Sequence, residues 1–591
     1  MRSNIQGIKH CAGILAICFM LLACFADVHV YAAGGTLPSG IGYDAIGDEV
    51  GKYFKEHEAT AAGFAYSVFD ESGDIATGYL GYSDKENGIA VDEDTVFEWG
   101  SGSKMLVWVS VMQAYEQGKL KLDEDIRNYL PDGFLSNQKY ETPITMVELM
   151  NHTAGFQDVP VDMSIVQDGY LTTLEEAVSA HKPDQIYKPG TVTSYSNWTT
   201  SLAAYIVSRA YGMEYTDYVH KYIFEPLGME RVAFSSNLRD NEWIKENRKK
   251  LQCYSDLGVL NPAAYSYCTL YPAGGCVSTF KEYSQFAKAL LSRSDKLMKA
   301  ETWDLLYSPT DYFGDTGVAK NCHGLWYVYF SVPTVGHIGK TAGCSSYVLL
   351  DLKDKVGAAL ICNQGNEMVL TEDMMSLFFG NYKTSEYYNP DVAPTAGYLN
   401  AKMVKVGPFK LSGLLGTLDK DMTREYWTIS DDYSPSVMDI AYMDFIQLPA
   451  IESLLNLATL ALFAVAVVFM LIMLVVRIIM FIVRLIKKGE KHKYPLRVWS
   501  VILSVLPLFV PLGFLMMLTS TSQPSYTFAW IPVFICILAV VMIAMLIYGC
   551  IRNIKAELPK ASKAYNWAII ACTLITILNI GYWNLYMFWK L

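Results

Sequence analysis

The 591-residue chain contains no Cys-x-x-Cys pair and no cysteine–histidine cluster at zinc-ligand spacing, so no metal site is expected. No cofactor is expected either. A basic stripe is also missing. The formal net charge is -12, which argues against a nucleic-acid partner. The long apolar runs carry no ionisable residue in mid-span, so a proton or ion pathway through them is not expected.

The chain does have an excess of hydrophobic residues, 52%, and it is unevenly spread. Arg2 and Lys9 precede an apolar stretch from Ala12 to Phe25, and Val30-Tyr31-Ala32-Ala33 follows. That order is the pattern of a secretory signal over residues 1–33. An uncleaved anchor is the alternative, and Leu21-Leu22-Ala23-Cys24 also resembles a lipoprotein cleavage box. Of the 12 cysteines, Cys253, Cys268, Cys276, Cys322, Cys344 and Cys362 fall in the soluble part. Six cysteines allow 15 full pairings, and the sequence does not choose among them.

At the other end the chain reads as membrane over residues 451–591. Four spans are expected at about 453–476, 498–518, 527–551 and 565–589, each near the ~20 apolar residues a helical crossing needs. Arg484, Lys487, Lys488, Lys491, Lys493 and Arg497 form one basic cluster, and Arg552, Lys555, Lys560 and Lys563 form another. The positive-inside rule makes both loops cytoplasmic and puts the preceding domain outside. The expected location is therefore a multi-pass cell-membrane protein with an extracytoplasmic domain. Asn579 and Asn584 are candidates for contacts between helices.

Between these ends, 34–385 reads as one globular α/β domain, and 386–450 as a linker, extra strands or a small juxtamembrane module. Ile46 to His57 has the pattern of an amphipathic helix. Gly63 to Phe69 and Ile75 to Tyr82 are strand-like around a turn at Asp70 to Asp74. Strand patterns return at Gly324 to Phe330, Tyr347 to Asp351 and Val356 to Cys362. Helical patterns cover Tyr283 to Leu291 and Leu370 to Tyr382. The stretch 119–260 alternates short helical patterns with turns and reads as a helical subdomain. One sheet would then draw strands from both ends of the domain.

The chain is organised around Phe97-Glu98-Trp99-Gly100-Ser101-Gly102-Ser103-Lys104. The run Met105 to Tyr115 behind it is apolar nearly all round, which predicts a buried helix ending near Gln117, with Gly118 beyond its C-terminus. Ser101 and Lys104 are three residues apart, so a helix puts them on one face, near its positive end. Ser-x-x-Lys alone is weak evidence, because Ser136, Ser179 and Ser278 also begin such matches. Only Ser101 stands at the mouth of a long apolar helix.

Other short motifs accompany it in order. They are Leu149-Met150-Asn151-His152-Thr153-Ala154-Gly155, Pro189-Gly190 with Tyr195-Ser196-Asn197, Pro226-Leu227-Gly228-Met229, Pro272-Ala273-Gly274-Gly275, and Gly336-His337-Ile338-Gly339 with Gly343. Over roughly residues 44 to 382 this series resembles the serine hydrolase superfamily of class C β-lactamases, DD-peptidases and related esterases. The resemblance implies the β-lactamase/transpeptidase-like fold: a mainly antiparallel sheet flanked by helices plus a helical subdomain, here followed by α-helical transmembrane segments.

The resemblance also implies roles. Ser101 would be the acylated nucleophile, and Lys104 would help deprotonate it with a lowered pKa. Tyr195 would carry the proton to the leaving group, brought down from its usual value near 10 by Lys104. Asn197 would orient the substrate amide. His337 with Gly339 would occupy the slot that holds lysine in β-lactamases, and the Lys340 N–H would join that of Ser101 as the oxyanion hole. A second reading makes Lys340 itself the functional cation. A neutral histidine in that slot favours ester or amide substrates without an obligate carboxylate. His152 is expected to hold a turn. The implied function is an extracytoplasmic serine hydrolase acting on a small-molecule, peptide or ester substrate. The alternatives are a D-Ala-D-Ala carboxypeptidase, transpeptidase or β-lactamase, and, in another class, a non-catalytic ligand-binding membrane receptor.

Overall fold

In the computed structural model the described residues are 34–381 except 137, 159–162, 166–171 and 314–316, short strands at 29–30 and between 398 and 447, and helices between 450 and 586. The proposed signal region lies outside them apart from His29–Val30, as do the basic residues at 488, 491 and 493 and the end of the last expected span.

The main sheet is antiparallel throughout. Its central order runs Gly73–Asp84, Gly63–Asp70, Val356–Cys362, Ser345–Asp351, Pro333–Lys340, Leu325–Tyr329 and Ala319–Cys322. Gly63–Asp70 and Val356–Cys362 meet in register, Phe64 opposite Cys362 and Asp70 opposite Val356, which joins the two ends of the domain in one sheet. Every residue of Val356–Cys362 is buried, and its side chains alternate between two cores as the two-residue period of a strand requires. Ala359 and Ile361 enter the core shared with the helices Lys104–Glu116 and Phe280–Leu291. Ala358, Leu360 and Cys362 enter the core shared with Ile46–Glu56 and Met374–Phe379. The result is helix, sheet and helix in three layers.

The predicted helix behind Ser101 is present as Lys104–Glu116, buried from Lys104 to Ala114. Its start differs from expectation: a 3-10 turn, Gly100–Ser103, precedes it and carries Ser101 outside the α-helix proper. Gly118 has φ +67°, and Lys119 N–H donates to Ala114 O, so the chain turns back as a left-handed residue after a helix allows. A small sheet, with Val277–Thr279 between Val96–Glu98 and Val232–Ala233, fixes the entry to this turn. The region 119–260 holds short helices and the longer Asn197–Tyr211. Within 386–450 the described residues include four strands in one antiparallel sheet, Tyr398–Asn400, Met443–Gln447, Val437–Ile440 and Thr428–Ser430.

Beyond them lies a 38-residue helix, Ala450–Lys487, followed by Arg497–Val505, Phe509–Thr519, Trp530–Lys555 and Lys560–Tyr582. Among the described residues three helices are long and apolar enough to cross a membrane. Arg497–Val505 and Phe509–Thr519 are joined by a 3-10 turn at Leu506–Leu508, whose Pro507 supplies no N–H. The last helix, Lys560–Tyr582, follows Pro559. The hydrogen bonds of Asn579 stay local: its Nδ2 donates to Ile575 O, and its Oδ1 accepts from Trp583 Nε1. Cross-helix bonds among the described residues include Asn566 donating to Asn553, Tyr582 to Asn456, Trp499 to Met545 O and Arg477 to the Tyr565 hydroxyl.

Candidate active site

The Gly100–Ser103 turn lies against the Pro333–Lys340 strand, backbone to backbone. Gly100 has φ +53°, and a Cβ there would fall 2.7 Å from Lys340 N. A Cβ on Gly339 would fall 1.9 Å from Trp99 O. Two glycines facing each other thus let the amide of Lys340 sit beside the turn that carries Ser101, as an oxyanion hole shared by two backbone N–H groups requires. Ser346 Oγ donates to Trp99 O at 2.7 Å and ties the next strand to the same turn.

Lys104 is completely buried. Its Nζ lies 3.1 Å from Ser101 Oγ, 2.7 Å from Asn197 Oδ1 and 2.5 Å from Ala273 O. Three partners suit an ammonium that donates to all three. They equally suit a neutral amine that donates to Asn197 and Ala273 and accepts from the serine hydroxyl. The same nitrogen lies 4.9 Å from the centre of the Tyr195 ring. Tyr195 immediately precedes Ser196, the N-cap whose side chain accepts from Thr199 N–H at the start of the Asn197–Tyr211 helix. Its hydroxyl is hydrogen-bonded to Ser101. The four residues singled out by motif spacing, Ser101, Lys104, Tyr195 and Asn197, therefore meet in one place.

Two details depart from expectation. Burial pushes the Tyr195 phenol above its usual value, and the bond to Ser101 only partly offsets this. Tyr195 is a protonated phenol at rest, suited to giving a proton. Asn197 has little amide left for a substrate: Nδ2 donates to Asp158 at 3.2 and 3.0 Å, and its backbone N–H donates to Asp158 Oδ1 at 2.8 Å. Asn197 holds Lys104, and Asp158 holds Asn197. Sequence reasoning missed Asp158, although it stands three residues after the His152–Gly155 motif. Asp158→Asn is expected to lower kcat roughly 10–100-fold with little change in KM, the scale of one hydrogen bond to a charged group; steady-state kinetics checks this.

His337 is 2% exposed and faces this cluster, its ring centre 6.4 Å from that of Tyr195. Nδ1 lies 2.7 Å from Ile338 O, which makes it the protonated nitrogen and leaves Nε2 a buried acceptor with no hydrogen-bond partner. Burial first, and the Lys104 charge second, push its pKa down to about 3. His337 is therefore neutral at pH 7, as expected. Below about 6.5 the unfolded chain takes up a proton that folded His337 refuses, so this group's contribution to stability falls as pH drops toward 3, by at most about 1.4 kcal/mol per pH unit. His337→Asn is expected to flatten that part of the profile. Melting curves at pH 7 and pH 4.5 for both proteins check it.

His152 supports the site without entering it. Its Nδ1 accepts from Ser196 N–H at 3.2 Å, and its ring stacks between Tyr195 and Trp326. In front of Ser101 lies a cavity of about 320 Å³, lined among others by Glu98, Arg248, Tyr265, Lys340 and Thr341. Arg248 is neutralised there by Glu98, which it meets at 2.9 and 2.5 Å, and Thr341 donates to the other oxygen of Glu98 at 2.6 Å. Of the six cysteines in this domain, Cys253 and Cys344 stand side by side, and Arg248 donates to Cys253 Sγ at 3.6 Å. The Cys344 thiol hydrogen-bonds Cys253 and holds its pKa below the usual thiol value. Among the described residues no group of three or more metal-binding side chains occurs.

The sequence pattern of the family described as Beta-lactamase matches residues 50–374, more than half of the chain and the whole of the site. The chain belongs to the Beta-lactamase family. It is 22% identical over 291 residues to Protein flp of Staphylococcus aureus strain MRSA252, covering 49% of this chain and 57% of that one. It is 26% identical over 372 residues to Penicillin-binding protein 4 of Amycolatopsis lactamdurans, covering 58% of this chain and 93% of that one. Among solved structures, D-amino acid amidase of Ochrobactrum anthropi SV3 is similar with a TM-score of 0.48 and 23% identity, covering 57% of this chain and 97% of that one. This Beta-lactamase-family chain thus spans little more than half the length of Protein flp, and its apolar helices follow the matched region.

Proposed function

We propose that the chain is a membrane-anchored serine hydrolase whose catalytic domain lies outside the cytoplasm and works through an acyl-enzyme on Ser101. The observation that carries this reading is the convergence of Lys104 Nζ, the Tyr195 hydroxyl and the Lys340 backbone on Ser101. Lys104 in its neutral form accepts the Ser101 proton as Oγ attacks the substrate carbonyl. The oxyanion is received by the N–H groups of Ser101 and Lys340. Tyr195 then gives its proton to the departing oxygen or nitrogen as the carbonyl–leaving-group bond breaks, and Lys104 returns a proton to Tyr195. Water, deprotonated by the same groups, releases the acid and restores Ser101.

The site favours an ester or amide without an obligate carboxylate: Arg248 on the cavity wall is paired with Glu98, and His337, buried beside Tyr195, is neutral. A D-Ala carboxypeptidase is the second reading, favoured by Lys340 on the cavity wall. Anchoring is supported by the three long apolar helices. The side is supported by the basic residues Arg484 and Lys487 at the end of the first of them. The test is to offer the full chain in detergent short-chain p-nitrophenyl esters, D-amino acid amides, nitrocefin and D-Ala-D-Ala peptides, alongside a fluorophosphonate. Ester or amide turnover with stoichiometric labelling is expected. Release of D-Ala that depends on Lys340 would favour the second reading, and no labelling at all would overturn both.

A further inference from the structure

Asp444 lies in the last strand before the first apolar helix, yet its side chain is buried in the hydrolase domain. Oδ1 pairs with Lys320 Nζ at 2.6 Å, and the two side chains are 3% and 1% exposed. Oδ2 accepts from Thr193 N–H at 2.6 Å, and Asp444 N–H donates to Thr193 O at 3.0 Å. Lys320 Nζ donates in turn to Thr193 Oγ1 at 2.9 Å. Thr193 is thus gripped at its N–H, its carbonyl and its hydroxyl, two residues before Tyr195. The neighbouring Ser194 N–H donates to His152 O, and His152 stacks on Tyr195, so little slack remains between the grip and the phenol. A carboxylate and an ammonium buried together at this spacing depend on each other. Removing one weakens the hold of the other on Thr193, whose hydroxyl also donates to Asp311 Oδ2 at 3.5 Å.

We propose that Asp444 is a positioning residue: by clamping Thr193 it sets the backbone that presents Tyr195 to Ser101, so the site is complete only when the strand ahead of the membrane helix is docked. The inference rests on the hydrolase reading above and deepens it. It gives the 386–450 stretch a part in the chemistry and ties the catalytic phenol to the chain segment that enters the apolar helix at Ala450.

The test uses the full chain in detergent. The saturating rate of labelling by an alkyl fluorophosphonate, and the concentration giving half that rate, are measured with melting curves for wild type, Asp444→Asn, Asp444→Glu and the double variant Asp444→Asn with Lys320→Met. The expected result is a saturating rate at least tenfold lower for Asp444→Asn, a half-saturating concentration within twofold of wild type, and partial recovery in Asp444→Glu. A folded Asp444→Asn that labels within twofold of wild type overturns the proposal. If Asp444→Asn does not fold, the double variant decides, because it removes both charges: a rate at least tenfold lower supports the proposal, and one within twofold of wild type overturns it. A wild type that does not label overturns the hydrolase reading itself, and this inference with it. A labelled wild type beside an unaffected Asp444→Asn overturns this inference alone.

Discussion

Ser101→Ala is expected to abolish covalent labelling by a fluorophosphonate and to lower kcat by about four orders of magnitude or more, the scale seen when a serine nucleophile is removed. The fold should survive. Ser101 is partly exposed to the cavity, and its loss takes away one hydrogen bond of Lys104 while those to Asn197 Oδ1 and Ala273 O remain. One lost hydrogen bond costs about 1 kcal/mol, so the melting temperature should move by only a few degrees. Mass spectrometry of the labelled chain gives the decisive reading, with the adduct on the Ser101 peptide in wild type and absent from the variant. Equal labelling of the two proteins would remove Ser101 from the chemistry.

A single methyl group at Gly339 is expected to do nearly as much damage. It would lie 1.9 Å from Trp99 O, 2.5 Å from Ser346 Oγ and 2.8 Å from Gly102 N. Two of these are backbone atoms, so no rotamer change relieves the clash, and the strand must move away from the Ser101 turn. The Lys340 N–H moves with it. Loss of one oxyanion donor costs roughly 10²–10³ in kcat, and Gly339→Ala should fall in or beyond that range. Kinetics on whichever ester the wild type turns over, with melting curves alongside, checks it. A folded Gly339→Ala with kcat within fivefold of wild type would show that Lys340 N–H is not an oxyanion donor.

The parts of the site legible in the sequence are those fixed by short-range spacing. Ser101 and Lys104 share a turn, Tyr195 and Asn197 share a helix entrance, and His337 and Gly339 share a strand. The order of the motifs then stood in for the third dimension. The sheet was legible where strands are buried on both faces, as at Val356–Cys362. Pro333–Lys340 carries less of that signal, because its glycines at 336 and 339 read as turn residues while serving as close-approach points. Asp158 and Asp444 were not legible. Each acts across a long sequence separation on a partner that no local pattern names: Asp158 on Asn197, and Asp444 on Thr193 and Lys320. The direction of the Tyr195 pKa shift was not legible for a related reason. Spacing shows which charges are near but not how completely the group is cut off from water.

The pairing of Gly63–Asp70 with Val356–Cys362 also sets an order of events during synthesis. The hairpin of Gly63–Asp70 with Gly73–Asp84, and the meander from Ala319 to Cys362, each close over short loops and can form early. Joining them means closing a loop of nearly 300 residues, Phe64 to Cys362, a slow step that waits until almost the whole domain has emerged. A chain halted before Val356 leaves Gly63–Asp70 as a buried-type strand with a bare apolar edge, the kind of edge that pairs with other chains.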